Sequence, residues 1–251
     1  MPLVSEAQSL PDSLLEEAAC TSPTSLLHLS VAAIDCFNIF YHLHRLALAS
    51  STHYMPRVSR LAFSTLLYEI EYMILSMPDR SRNFVDFDLE TTDEQDESYE
   101  EWRMLADGAS IAEVLLAAVQ IFVYAALRDI PVQATLFNVL LERLRVAIDR
   151  PSVCMIEAWK QAKNLDTLLW VLVIASSVTT EQRGRTWWIT QLSSVAAELG
   201  VRSQMELEVF MTRIAWTDVF FGVAVRGVWT QVQHAGLYFE APLATLSPTP
   251  F

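Results

Sequence analysis

The sequence predicts an all-α protein: a single multi-helix bundle of orthogonal and stacked helices, with an acidic disordered linker inserted in it. Three observations lead there. Apolar residues recur at three- and four-residue steps along most of the chain, the period that lines one face of a helix. Six glycines and ten prolines in 251 residues leave long stretches without a breaker. The apolar share, 52%, is large enough at this length to fill a core without disulfide staples.

The elements follow in order. Residues 1–23 carry Pro2, Pro11 and Pro23 around a short amphipathic piece, Leu14 to Ala19, and read as a flexible tail. A long helix is expected from Thr24 to about Ala49. On it Asp35, Asn38, His42 and Arg45 step by three, four and three, which places them on one polar stripe, a candidate pocket lining. A second helix is expected from Pro56, a favourable first helical residue, to Pro78, with Phe63, Leu67, Ile70, Ile74 and Met77 on its core face. Residues 79–104 read as the linker. Between Asp86 and Glu101 it holds nine acids and no base, and like charges at that density oppose compaction.

The next helix, about Ala109 to Arg128, is apolar nearly all round and must lie inside the bundle. Pro131 is expected to open another, with Leu136, Leu140, Leu144 and Ile148 inward and Glu142, Arg143 and Arg145 outward. A short helix near Ile156–Ala162 leads to Leu165–Val178, whose β-branched run also fits a buried strand by pattern. Its length and helical neighbours favour helix. Trp188, Leu192, Val195 and Leu199 mark the next core face, and Gly200 suits a left-handed helix end. Ser203-Gln204-Met205-Glu206 has the form of a capping box. Leu207, Phe210, Met211 and Ile214 follow, and a last helix runs to about Val232. One helical domain over 24–232 is expected, with 233–251 a second flexible tail.

Composition excludes several functions. The formal charge is −13 and the chain has only two lysines, Lys160 and Lys163. A nucleic-acid footprint needs clustered cations to displace counterions, so no direct nucleic-acid partner is expected. The longest apolar stretches are broken by Asp35, His42, His44, Glu113 and Gln120, and Leu168–Val178 is too short to span a bilayer. No membrane role and no secretion are expected. Cys20, Cys36 and Cys154 are few and far apart, as in a reduced compartment.

Chemistry is sparse. Cys36, His42 and His44 are close in sequence, but on one helix His44 points away from the stripe that carries His42, so no metal site is expected. No Gly-x-Ser-x-Gly turn, G-x-G-x-x-G or phosphate loop occurs. A divalent-metal reading of the acidic run lacks a second cluster and the lysines that would hold a diphosphate. No catalytic residue and no cofactor are assigned. Trp170, Trp187, Trp188, Trp216 and Trp229 stand at helical spacing in apolar faces, where packing explains them. Phe84, Phe87, Leu89, Tyr99 and Trp102 are interspersed with the linker acids. Acidic–hydrophobic alternation is the composition of activation segments that present aromatics to a coactivator groove. A solvated loop is the simpler reading of the same run.

The last third carries a recognisable order of segments: Leu168-Leu169-Trp170, Arg185-Thr186-Trp187-Trp188, Gly200-Val201-Arg202-Ser203, then Trp216 and Trp229. Upstream, Val123 to Pro131 (VYAALRDIP) fits the same pattern. Together, over about 105–232, they resemble the fungal-specific transcription factor domain, the helical regulatory region that follows the binuclear zinc cluster of many fungal activators. That family's zinc cluster uses six closely spaced cysteines on a basic segment. Here three cysteines lie 16 and 118 positions apart. The resemblance therefore implies a regulatory and protein-interaction domain of fungal transcription, without its own DNA-binding module, located in the nucleus and not an enzyme. Its partners would be proteins of the transcription machinery, a DNA-binding partner, or a small-molecule effector. The alternative is a helical small-molecule-binding protein or enzyme built on the same scaffold, since fold does not fix function.

Overall fold

The structure, a computed structural model, describes residues 10–21, 36–76, 97–149 and 154–239. These form an all-α bundle: α1 (Asp12–Thr21), α2 (Cys36–Ala49), α3 (Arg60–Ser76), α4 (Glu97–Phe122), α5 (Thr135–Ile148), α6 (Met155–Gln161), α7 (Leu165–Val178), α8 (Gln182–Glu198), α9 (Gln204–Ile214) and α10 (Asp218–Phe239). A 3-10 turn, Met55–Arg57, precedes α3, and a π turn, Val123–Leu127, continues α4.

Helix α7 is the axis of the bundle. It is apolar on all faces, so nothing favours leaving any face in water. Twelve of its fourteen residues are buried, and α4, α6, α8, α9 and α10 pack around it. Its polar side chains fold back on the helix, as when Ser176 Oγ donates to Leu172 O (2.7 Å) and Thr179 Oγ1 to Ala175 O (2.6 Å). Burying them therefore leaves no donor unmade. Helix α4 lies beside α7 and α5, where Ser110 Oγ donates to Ala147 O (2.5 Å) across the α4–α5 contact. Residues Ser110–Leu127 are long and apolar enough to cross a membrane by length and composition, and 67% of that stretch is buried inside the bundle.

Two helix ends explain themselves. Helix α8 stops at Gly200, at φ +69°. The Val201 amide reaches Ala196 O (2.9 Å) and the Gly200 amide reaches Ala197 O (3.1 Å), the paired bonds of a Schellman end. The capping box then starts α9: Glu206 N donates to Ser203 Oγ (3.2 Å) while Glu206 Oε2 accepts from Ser203 N (3.1 Å). Helix α6 ends in the same Schellman pattern, with Asn164 N on Trp159 O (3.0 Å) and Lys163 N on Lys160 O (2.9 Å). There Lys163, not glycine, takes the left-handed position at φ 56°.

Several expectations change. Residues Leu10–Thr21 are no loose tail, because Leu10, Leu14 and Ala18 enter the core as α1 packs on α2. Tyr54 fastens it, its hydroxyl donating to Glu17 Oε2 (2.7 Å). The expected start at Pro56 gives only the 3-10 turn, and α3 begins at Arg60. Its core face is Ala62, Leu66, Leu67, Ile70 and Ile74, with Phe63 only half-buried. Helix α4 begins at Glu97, so the end of the expected linker, 97–104, is helical. Residues 131–134 form a turn and α5 starts at Thr135. Phe137 takes the inward place expected of Leu136, which is 38% exposed. Helix α10 passes Val232 and ends at Phe239. The expectations for 24–35, 79–96 and 240–251 lie outside the described residues.

Candidate functional site

The C-terminal end of α9 is the best-built polar node in the bundle. A helix leaves its last carbonyls without partners of its own, and here two are buried. Ile214 O accepts from His44 Nδ1 of α2 (2.9 Å), and Ala215 O accepts from Trp170 Nε1 of α7 (2.9 Å). His44 is 2% exposed and Trp170 is fully buried. The other nitrogen of His44, Nε2, lies 2.6 Å from Thr21 Oγ1, so one imidazole joins α1, α2 and α9. Burial lowers the His44 pKa below the ordinary histidine value, against smaller upward pulls from the Ile214 carbonyl and Glu17. A neutral ring with its proton on Nδ1 fits, since a carbonyl can only accept.

Trp170 also anchors an aromatic cluster. Phe40 meets it edge-on (5.5 Å between ring centroids) and Phe122 lies tilted against it (5.7 Å). Phe122 stacks on Phe221 (5.7 Å), and Phe221 on Trp216 (5.1 Å). Trp216 Nε1 donates to Asp218 Oδ1 (2.7 Å) at the start of α10. Residues of α2, α4, α7 and α10 therefore close one apolar centre.

The polar stripe of α2 is partly assembled. Asn38 is exposed, His42 and Arg45 are half-buried, and Asp35 is outside the described residues. Arg45 Nη1 approaches His42 Nδ1 at 3.4 Å and its guanidinium lies 5.5 Å from the centre of the Tyr41 ring. Glu69 of α3 stands 3.9 Å from His42 Nδ1. Desolvation first, then the Arg45 charge, lower the His42 pKa, and Glu69 opposes them. Of the expected interaction segment, Phe84, Phe87 and Leu89 lie outside the described residues, and of Tyr99 and Trp102 only the backbone, in α4, is described.

Sequence reasoning missed the outer face of α3. Leu61, Tyr68, Tyr72 and Leu75 are 53%, 61%, 74% and 72% exposed. Arg128, just past the π turn, clamps Glu71 with two bonds, Nε to Oε1 (3.0 Å) and Nη2 to Oε2 (2.7 Å), and its guanidinium lies 5.0 Å from the centre of the Tyr68 ring. A crevice beside it is lined by Glu71, Ile74, Leu75, Gln120, Val123 and Tyr124. The signal was present as a second apolar stripe on α3, opposite the one read as its core.

Among the described residues no group of three or more His, Cys, Asp or Glu side chains is placed to hold a metal ion. The buried polar groups tie helices together and the exposed apolar ones face solvent, an arrangement suited to binding. No protein-family model matches this chain, and neither the curated proteins nor the solved structures include a significant match to it.

Proposed function

We propose that this chain is a regulatory, protein-binding domain of the fungal transcription factor type, acting in transcription through partners and without a DNA-binding module within these residues. One observation carries the reading. Three of the segments that carry the resemblance meet at one place in the bundle. Trp170 bonds the residue before Trp216, Trp216 stacks on Phe221, and Phe221 stacks on Phe122, next to the segment that starts at Val123. Residues far apart in sequence that share one packing node are what a common fold requires, and a chance order of tryptophans does not produce it. The role is binding, not catalysis.

The test is a tethering experiment. The whole chain is fused to an unrelated DNA-binding domain and expressed in a fungal reporter strain beside that domain alone. The expected result is a reporter output raised or lowered by the fusion, with the untethered chain in the nucleus. An unchanged reporter, or specific nanomolar DNA binding by the chain on its own, refutes the reading.

A further inference from the structure

The exposed side chains on the outer face of α3 follow a spacing that ordinary surface helices do not need. Leu61, Thr65, Tyr68, Tyr72 and Leu75 step by four, three, four and three, the seam of two helices packed knobs into holes. The seam runs about 21 Å, from fourteen residues at 1.5 Å each. Its exposed side chains, with Met55 (63% exposed) at the near end, leave roughly 600 Å² of mainly apolar surface in water, at or above the largest patch of an ordinary monomer.

We infer that this face binds a second copy of the chain, with the two α3 helices antiparallel and Tyr68 on the two-fold axis. Three features select that occupant. The first is area: two such faces together would bury roughly 1,200 Å², the lower bound of a stable interface. The second is symmetry: Leu61 and Leu75 lie seven residues either side of Tyr68, and Thr65 and Tyr72 lie three and four away. A two-fold pair then sets Leu61 against Leu75 and small Thr65 against large Tyr72, twice over, as a self-complementary interface requires.

The third is charge. Arg60 opens α3 and Arg57 precedes it, at the positive end of their own helix dipole, where a cation is disfavoured. The last turn of α3 carries no basic residue. Antiparallel pairing brings Arg57 and Arg60 of each copy to that negative end of the other. The crevice between α3 and the π turn lies at this end, beside Leu75, and it receives Leu61 of the second copy. Arg128 covers one face of Tyr68 and leaves the other for its symmetry mate. The pairing stands or falls independently of the role in transcription.

Sedimentation of the full chain over a concentration series tests it. The expected result is a mass that rises to twice that of one chain, and that stays at one chain for Tyr72→Glu and Leu75→Glu. Both positions are largely exposed, so an unchanged far-UV circular dichroism spectrum shows that the fold survives. Orientation is read by cross-linking with a short bis-maleimide, with Cys20→Ser and Cys154→Ser as the background. Tyr68→Cys should join to itself, and Leu61→Cys should join to Leu75→Cys only when the two chains are mixed. A wild-type chain that stays monomeric at high micromolar concentration overturns the proposal. So does a dimer indifferent to both glutamates, or one in which Leu61→Cys joins to itself.

Discussion

Trp170→Phe isolates one hydrogen bond at the centre of the bundle. The phenyl ring keeps most of the contact with Phe40 and Phe122 but has no N–H, so Ala215 O loses its donor where water cannot replace it. A buried acceptor left unmade costs about 1–3 kcal/mol. The smaller ring also leaves a void of roughly 40 Å³, which at about 24 cal/mol per Å³ adds about 1 kcal/mol. The expected loss is about 3 kcal/mol. In a domain of this size each kcal/mol moves the melting temperature by about 2–4 °C, so a fall of about 6–12 °C is expected. Thermal unfolding followed by far-UV circular dichroism measures it without relying on tryptophan fluorescence. A fall under about 2 °C would show that the end of α9 is not held as described.

Further expectations concern other parts of the bundle. Leu140→Asp places a carboxylate at a position 6% exposed, where an unpaired charge is not tolerated; cooperative unfolding should be lost, and an unchanged melting curve would mean that α5 packs by another face. The two Schellman ends should respond in opposite directions. Gly200→Ala puts a side chain at φ +69° and should destabilise by about 1 kcal/mol, whereas Lys163→Gly relieves the same strain at φ 56° and should stabilise by about 0.5–1 kcal/mol in urea unfolding. For pH, the folded-state pKa of His44 lies below its unfolded value of 6.5. The unfolded chain therefore binds the proton first on acidification, and stability should be full above pH 6.5 and decline as pH falls below it. His42 is shifted the same way. His44→Gln should flatten the melting temperature profile between about pH 7 and pH 5, and an equally steep profile would remove His44 as a cause.

The helical class and most core faces were legible because burial and periodicity are the same fact read twice. Helix α7 and the pairs Leu192–Val195 and Leu207–Met211 all sit where the stripes placed them. The Gly200 end and the Ser203–Glu206 box were legible because each is a local backbone device that needs particular residues. Helix α1 was missed because its partners are distant: Tyr54 and His44 are 37 and 23 positions from the residues they hold. The reversal of Leu136 and Phe137 follows from the turn at 131–134, which starts α5 four residues later than a proline start would. His44 read as a polar residue off the stripe, and only the tertiary structure gives it the Ile214 carbonyl. The α3 surface stayed hidden because a helix with apolar residues on two faces gives a weak stripe on either.

The π turn at Val123–Leu127 makes chain length, and not only residue identity, a determinant of shape. Its closing bond, Arg128 N to Val123 O (2.9 Å), spans five residues where an α-helix spans four. Excising one residue from that stretch would restore ordinary winding and rotate everything after it by about 100° relative to α4. Arg128 would swing away from Glu71 and Tyr68, and the wall that Val123 and Tyr124 give the crevice would turn with it. A related chain could thus gain or lose this arrangement through a single in-frame deletion, with every side chain around it unchanged.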